Sequence, residues 1–214
     1  MYKIIYIILL SIIINEQLPN DVRWVTKSNE YKALCNQIYS LAIEKINSLD
    51  YDQNKHYAVV LDLDETVLDN SQYQIELNRN NESFNMKSWA KWVLREEAKL
   101  VPGAYEYIKL LHQKNIQIIY LSNRMDARLN ATINNLKKLD IYTDKDIFLL
   151  RQNKEDKKYI RRNEIFSSTG RMKNYNQFSI VQYLGDAMGD FESSDYSKFG
   201  VNQFIFPNPM YGKW

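Results

Sequence analysis

The stretch "AVVLDLDETVLDN", residues 58–70, runs four apolar residues straight into carboxylates. An ionised carboxylate in an apolar interior is very costly unless it is paired or metal-bound. A buried strand must therefore end at Asp62, or the acids there have work to do. The same punctuation recurs along the chain. Short apolar runs at 116–122 ("IQIIYLS"), 147–150 ("IFLL"), 179–186 ("SIVQYLGD") and 204–206 ("FIF") alternate with segments of helical periodicity. Strands alternating with helices predict βαβ units and a parallel sheet. In such sheets ligands bind beyond the carboxyl ends of the strands. Those ends are Asp62, Ser122 and Asp186, so the chemistry is expected where these three converge.

The helical segments are read from spacing and end signals. Residues 29–48 place Tyr31, Leu34, Ile38, Leu41 and Ile46 on one face, with Ser28 at the N-cap position. Pro102 is expected in the first turn of a helix over "PGAYEYIKLLHQKN". Residues 70–100 are polar and Asn-rich, then carry a helix with Trp89 and Trp92. They are read as a cap-like insertion in one domain spanning 21–214, with 15–27 as a polar linker. A hydrophobic content of 45% supports a real core, and a net charge of +2 gives no drive towards a nucleic-acid polymer. Cys35 is the only cysteine, so no disulfide forms within the chain.

The amino terminus, "MYKIIYIILLSIII", has one Lys and then an apolar run from Ile4 to Ile14. It is too short to span a bilayer as a helix, yet it has the length of a signal-peptide h-region. Residues 1–20 are therefore read as a signal peptide or uncleaved anchor. The chain is expected to be exported to the periplasm, outer membrane or cell surface. Membrane association would come only through this segment. No cysteine directly follows the run, so a lipid-modified amino terminus is not expected.

Asp62 and Asp64 flank Leu63 and in an extended chain share a face. Two such carboxylates repel unless a cation lies between them or one holds a proton. A hard divalent ion such as Mg²⁺ answers this requirement. Asp186 and Asp190 in "GDAMGD" add carboxylates, Ser122 in "LSNR" adds a hydroxyl, and Lys157 or Lys158 adds an ammonium.

Together these motifs resemble the haloacid dehalogenase (HAD) superfamily, and more closely the bacterial class C acid phosphatases, lipoprotein 5′-nucleotidases. "LDETVLDNSQY", "SWAKWV", "VPGAYEYI", "LSNRMD", "LGDAMGDF" and "PNPMYGKW" fall in that family's order across residues 24–214. The resemblance implies an α/β fold: a HAD-like Rossmannoid core with a central parallel sheet flanked by helices, a small helical cap and an N-terminal helix. It implies Asp62 as a nucleophile that becomes an aspartyl phosphate, and Asp64 as general acid and base. Thr66, Ser122, Asn123 and Lys157 would hold phosphoryl oxygens, Lys157 being preferred to Lys158 from its distance to "FLL". Mg²⁺ would be held by Asp62, the Asp64 carbonyl, Asp186 and Asp190. Trp89 and Tyr211 would hold the base of a nucleoside monophosphate, and a homodimer is compatible with the family. The chain departs from the pattern at Ala187, where Asn is usual, and in lacking the lipobox cysteine.

Plainer readings stand beside each role. "DLDET" alone could be a solvated acidic turn, Ser122 a helix cap, Lys157 one cation of a charged face, and Trp89 or Tyr211 packing residues. Two rival functions are a non-catalytic surface protein that binds nucleotide or haem, and a haloacid dehalogenase. A pure binder needs no nucleophile, and a halide leaving group needs no proton from Asp64.

Overall fold

The computed structural model describes residues 17–212. The apolar run expected to be a signal or anchor lies outside the described residues. A five-stranded parallel sheet forms the centre, in the order β5 (Ile147–Arg151), β4 (Gln117–Met125), β1 (His56–Leu61), β6 (Phe178–Gly185), β7 (Gln203–Ile205). Each strand foreseen from its apolar run is present, and the expected α/β class is the one observed. A two-stranded antiparallel ribbon, β2 (Leu68–Asp69) with β3 (Lys99–Leu100), brackets residues 70–98.

Side-chain alternation along the strands builds two cores. Val59 and Leu61 of β1 pack on one face with Ile118, Tyr120 and Leu184, while Ala58 and Val60 pack on the other with Ile119, Leu121 and Tyr183. The first face is covered by α2 (Asn29–Asn47) and α5 (Ala104–Gln113), the second by α7 (Lys158–Ser167). Helix α6 (Leu129–Lys138) packs on the first face through Ala131 and Leu136. Cys35 is fully buried in this core.

Ser28 caps α2 by accepting from the Tyr31 N–H at 3.0 Å, as its position suggested. Two expectations are corrected. Residues 20–27, read as linker, form the helix α1 (Asn20–Lys27), because Val22 and Val25, one turn apart, are both buried. Such a short helix is stable through tertiary packing rather than propensity. The α5 helix begins at Ala104 rather than Pro102, since Gly103 at its N-cap adopts φ 90°. Within 70–100 two helices form, α3 (Ser71–Arg79) and α4 (Met86–Arg95). Among the described residues no helix is long and apolar enough to cross a membrane.

Candidate active site

The site starts where β1 stops. The Asp62 N–H still bonds the Leu184 carbonyl of β6, at 2.9 Å, which sets the acid at the carboxyl edge of the sheet. The chain then turns tightly: the Leu63 carbonyl accepts from both Val67 and Leu68 N–H, and Glu65 takes φ 57°. Leu63 is fully buried beneath this turn. Tyr39 of α2 ties the turn down by donating its hydroxyl to the Thr66 carbonyl at 2.6 Å.

Asp62, Asp186 and Asp190 each place a carboxylate oxygen within 4.8 Å of the others. Asp186 follows the end of β6, and its Oδ2 accepts from Asn208 Nδ2 at 2.7 Å. Asp190 lies in a single helical turn, Met188–Asp190, and its Oδ2 accepts from the Ala187 N–H at 3.0 Å. Position 187 thus contributes a backbone N–H, which the departure at Ala187 leaves intact. Burial, followed by the neighbouring Asp190, pushes the Asp186 carboxyl up to about 6. Burial also pushes Asp62 well above the carboxylate range, Lys158 opposing it while Asp190, Asp186 and Asp64 add to the rise.

The cation among these acids is Lys158. Its Nζ stands 2.8 Å from Asp62 Oδ1 and bonds Asp190 Oδ1 as well. Burial alone would lower its pKa, but the two carboxylates outweigh burial and raise it. The expectation for Lys157 is corrected here: Lys157 occupies the N-cap of α7 with an exposed side chain, and the inward direction falls one residue later.

Whether this cluster suits a divalent cation can be judged from its own atoms. Asp62 Oδ1 is buried, and the partner found for it among the described residues is the Lys158 ammonium, 2.8 Å away. Three carboxylates face one ammonium, so the ionised set carries two uncompensated negative charges. A hard dication fits this all-oxygen donor set and would balance the charge. Asp64 belongs to a different group: its side chain faces Arg124, whose Nη2 lies 2.8 Å from Asp64 Oδ1.

The remaining expected residues are distributed as follows. Ser122 is fully buried; its Oγ accepts from the Arg124 N–H at 3.3 Å and its carbonyl accepts from Arg161. Asn123 is exposed, and its Oδ1 accepts from Arg161 Nη2 at 2.7 Å. Thr66 is fully buried, and its Oγ1 is without a partner. Trp89, half-buried, packs edge-on to Tyr73 at 5.2 Å and lies under the Arg124 guanidinium at 5.8 Å. Tyr211 is 38% exposed on the carboxyl-terminal segment that also carries Asn208. Sequence reasoning assigned no role to Arg124, Asn70 or Asn208. The only signal was their presence inside the quoted motifs "LSNR", "LDN" and "PNPMYGKW".

A parallel sheet with its acids gathered beyond the ends of β1 and β6, flanked by helices on both faces, defines a HAD-like α/β fold. A family model described as HAD superfamily, subfamily IIIB (acid phosphatase) matches residues 10–214, and the chain belongs to that family. Among solved structures it is similar to the class C acid phosphatase from Bacillus anthracis. That match has a TM-score of 0.80 and 31% identity, covering 91% of this chain and 84% of that one. The same Bacillus enzyme with tungstate bound matches with a TM-score of 0.79 and 32% identity, over the same 91% and 84%. Among curated proteins it is 26% identical to the stem 31 kDa glycoprotein of Glycine max over 154 residues. That alignment covers 71% of this chain and 58% of the glycoprotein, so the chain spans little more than half of that relative. It is 24% identical to acid phosphatase 1 of Solanum lycopersicum, over 92% of this chain and 75% of that protein.

Proposed function

We propose that the protein is an exported, Mg²⁺-dependent acid phosphatase that hydrolyses phosphomonoesters, nucleoside monophosphates among them. The observation that carries this reading is Asp62: a carboxylate buried at a strand end, gathered with Asp186 and Asp190 and with the Lys158 ammonium 2.8 Å from its Oδ1. A carboxylate set at a strand end can act as a nucleophile and split hydrolysis into two easier steps. In the first step that oxygen attacks phosphorus, the bond from phosphorus to the leaving oxygen breaks, and Asp64 gives the departing alkoxide its proton. In the second step water loses a proton to Asp64 and attacks the aspartyl phosphate. The phosphorus–Asp62 bond breaks and inorganic phosphate leaves. Lys158 neutralises charge on the phosphoryl oxygens, which is most of what phosphoryl transfer asks of a protein. Mg²⁺ held by Asp62, Asp186, Asp190 and the Asp64 carbonyl would supply further charge neutralisation and orient the phosphoryl group.

Two findings support the reading. The chain belongs to an acid phosphatase family, and the Bacillus anthracis enzyme binds tungstate, a tetrahedral oxyanion shaped like phosphate. Trp89 with Phe84, 6.3 Å apart, forms an aromatic ledge beside Arg124 on which a base could stack, at about 1–3 kcal/mol per base with little base preference. Export is inferred from the apolar run at 4–14.

The test is phosphate release by the full chain from nucleoside monophosphates and aryl phosphates, beside Asp62→Asn. Loss of turnover in that variant supports the reading. Nucleotide binding with no phosphate released, or wild-type turnover by Asp62→Asn, overturns it.

A further inference from the structure

Asn70 occupies the N-cap of α3, where an Asn side chain ordinarily caps the helix, yet its side chain makes no capping bond. The side chain is fully buried and spent elsewhere. Its Oδ1 accepts from the Trp92 indole Nε1 at 2.8 Å. An indole nitrogen can only donate, so it fixes which way the amide faces. Nδ2 is then turned onto Asp64 Oδ1, at 2.9 Å.

The same carboxylate oxygen also receives Arg124, from Nε at 2.9 Å and Nη2 at 2.8 Å. Arg124 is itself held: 1% exposed, with Nη1 3.3 Å from Thr132 Oγ1 and Nη2 3.3 Å from Asn70 Oδ1. Its face lies against Trp89. Two hydrogen bonds, from Asn70 Nδ2 and Arg124 Nε, and the ion-pair contact of Arg124 Nη2 therefore converge on Oδ1, and among the described residues none reaches Oδ2. These contacts come from two residues, Asn70 just after β2 and Arg124 near the end of β4, and Trp92 of the cap helix α4 orients Asn70.

We infer that Asn70 and Arg124 are positioning residues that lock Asp64 through Oδ1, leaving Oδ2 as the oxygen that carries the proton to the leaving group. The inference rests on the proposed role of Asp64 as acid and base. A carboxylate pinned at one oxygen cannot rotate about its terminal torsion, so Oδ2 is held in one direction. Misplacing a reacting group by about 1 Å can cost about 10²-fold in rate. Trp92 makes the arrangement conditional on the cap, since α4 supplies the donor that sets the Asn70 amide.

The reaction separates this role from a merely structural one. An alkyl phosphate needs a proton on its leaving oxygen, whereas the 4-nitrophenolate anion departs without one. The measurement is kcat/KM for glycerol phosphate divided by kcat/KM for 4-nitrophenyl phosphate, in the full chain. This ratio reports the first displacement and is independent of the fraction of protein that is folded. Asp64→Asn sets the scale, with a fall of about 10²–10⁴ in the ratio expected for a lost general acid. Asn70→Ala and Arg124→Lys are expected to lower the ratio about tenfold or more, and Trp92→Phe, the mildest change, to lower it less. A ratio unchanged in Asn70→Ala and Arg124→Lys while Asp64→Asn lowers it overturns the clamp alone. A ratio unchanged in Asp64→Asn overturns the acid role and the clamp with it.

Discussion

Gly185 and Asp190 approach so closely that no side chain fits between them. A Cβ at residue 185 would stand 2.3 Å from Asp190 Cβ and 2.4 Å from its Oδ2. The glycine at the end of β6 is thus a requirement of space: it lets the acid of the next helical turn fold back over the strand end. Gly185→Ala should displace Asp190, spoiling its contacts with both Lys158 and the other acids. An overpacking cost of about 1–3 kcal/mol is expected. A titration with Mg²⁺ followed by thermal unfolding should show weakened metal stabilisation. A variant that melts like the wild type, with and without metal, contradicts this account.

Lys158 and Lys157 are adjacent in sequence and opposite in setting. Lys158→Ala removes the only ammonium facing Asp62 and Asp190 among the described residues. Its kcat should fall about 10²–10³-fold, as for other electrostatic donors in transition-state stabilisation. Lys157→Ala changes an exposed residue and should stay within about 0.5 kcal/mol of wild-type stability, with near-normal turnover. The reverse pattern of kcat values would restore Lys157 as the working lysine.

This pair also marks where the sequence stops being legible. Asp62, Asp186 and Asp190 were readable because apolar strands must end before acids, and parallel sheets gather their strand ends. The lysine was displaced by one because a helix start is set by its N-cap, and one residue turns a side chain by about 100°. Arg124 and Asn70 act on Asp64 across 60 and 6 residues, and Asn208 on Asp186 across 22. None of these pairings has a local signature, since each depends on how separate elements meet. Helix α1 was hidden for a similar reason: its stability comes from Val22 and Val25 docking on the body of the protein, as in the edge contact of Trp24 with Tyr31 at 5.5 Å.

Asn208 holds Asp186 from outside the acid cluster, donating to Oδ2 at 2.7 Å. Groups that orient a metal ligand in this way are typically worth about 10–100-fold in metal affinity or activity. Asn208→Ala should therefore raise the Mg²⁺ concentration needed for half-maximal turnover by about that factor. Its turnover should recover at saturating metal, and chelation should abolish turnover in both proteins. Activity that survives a chelator would remove the metal from the scheme.

Tyr39 connects α2 to the acidic turn through a single buried bond to the Thr66 carbonyl. Tyr39→Phe keeps the ring contacts with Tyr107 and Phe206, at 5.3 and 4.6 Å, and deletes only the hydroxyl. The carbonyl is then left unsatisfied in the interior, at about 1–3 kcal/mol. Urea unfolding should show a lowered midpoint with an unchanged slope. An unchanged midpoint would mean that water reaches the turn.

The helix that presents Lys158 is anchored by a charge cluster whose strength must depend on pH. Arg171 donates to Glu164 through Nε at 3.0 Å and Nη2 at 2.6 Å, and to Asp156 through Nη1 at 3.1 Å and Nη2 at 3.3 Å. These bonds hold Glu164 below its ordinary value, with burial opposing. Burial pushes Asp156 up, but Arg171, the Gln152 N–H and Arg161 outweigh it and leave it lowered as well. A carboxyl lowered in the folded state adds stability that is complete above its unfolded pKa and is lost as pH falls through its folded one. The cluster's contribution should therefore be full at neutral pH and decline from about pH 5 downwards. Arg171→Met should be less stable than wild type by about 1–3 kcal/mol at pH 7, since hydrogen bonds to charged groups are lost. The gap should narrow as pH falls through the lowered values of both acids. Urea midpoints at neutral and acid pH decide it, because a gap independent of pH would mean that Arg171 acts through packing alone.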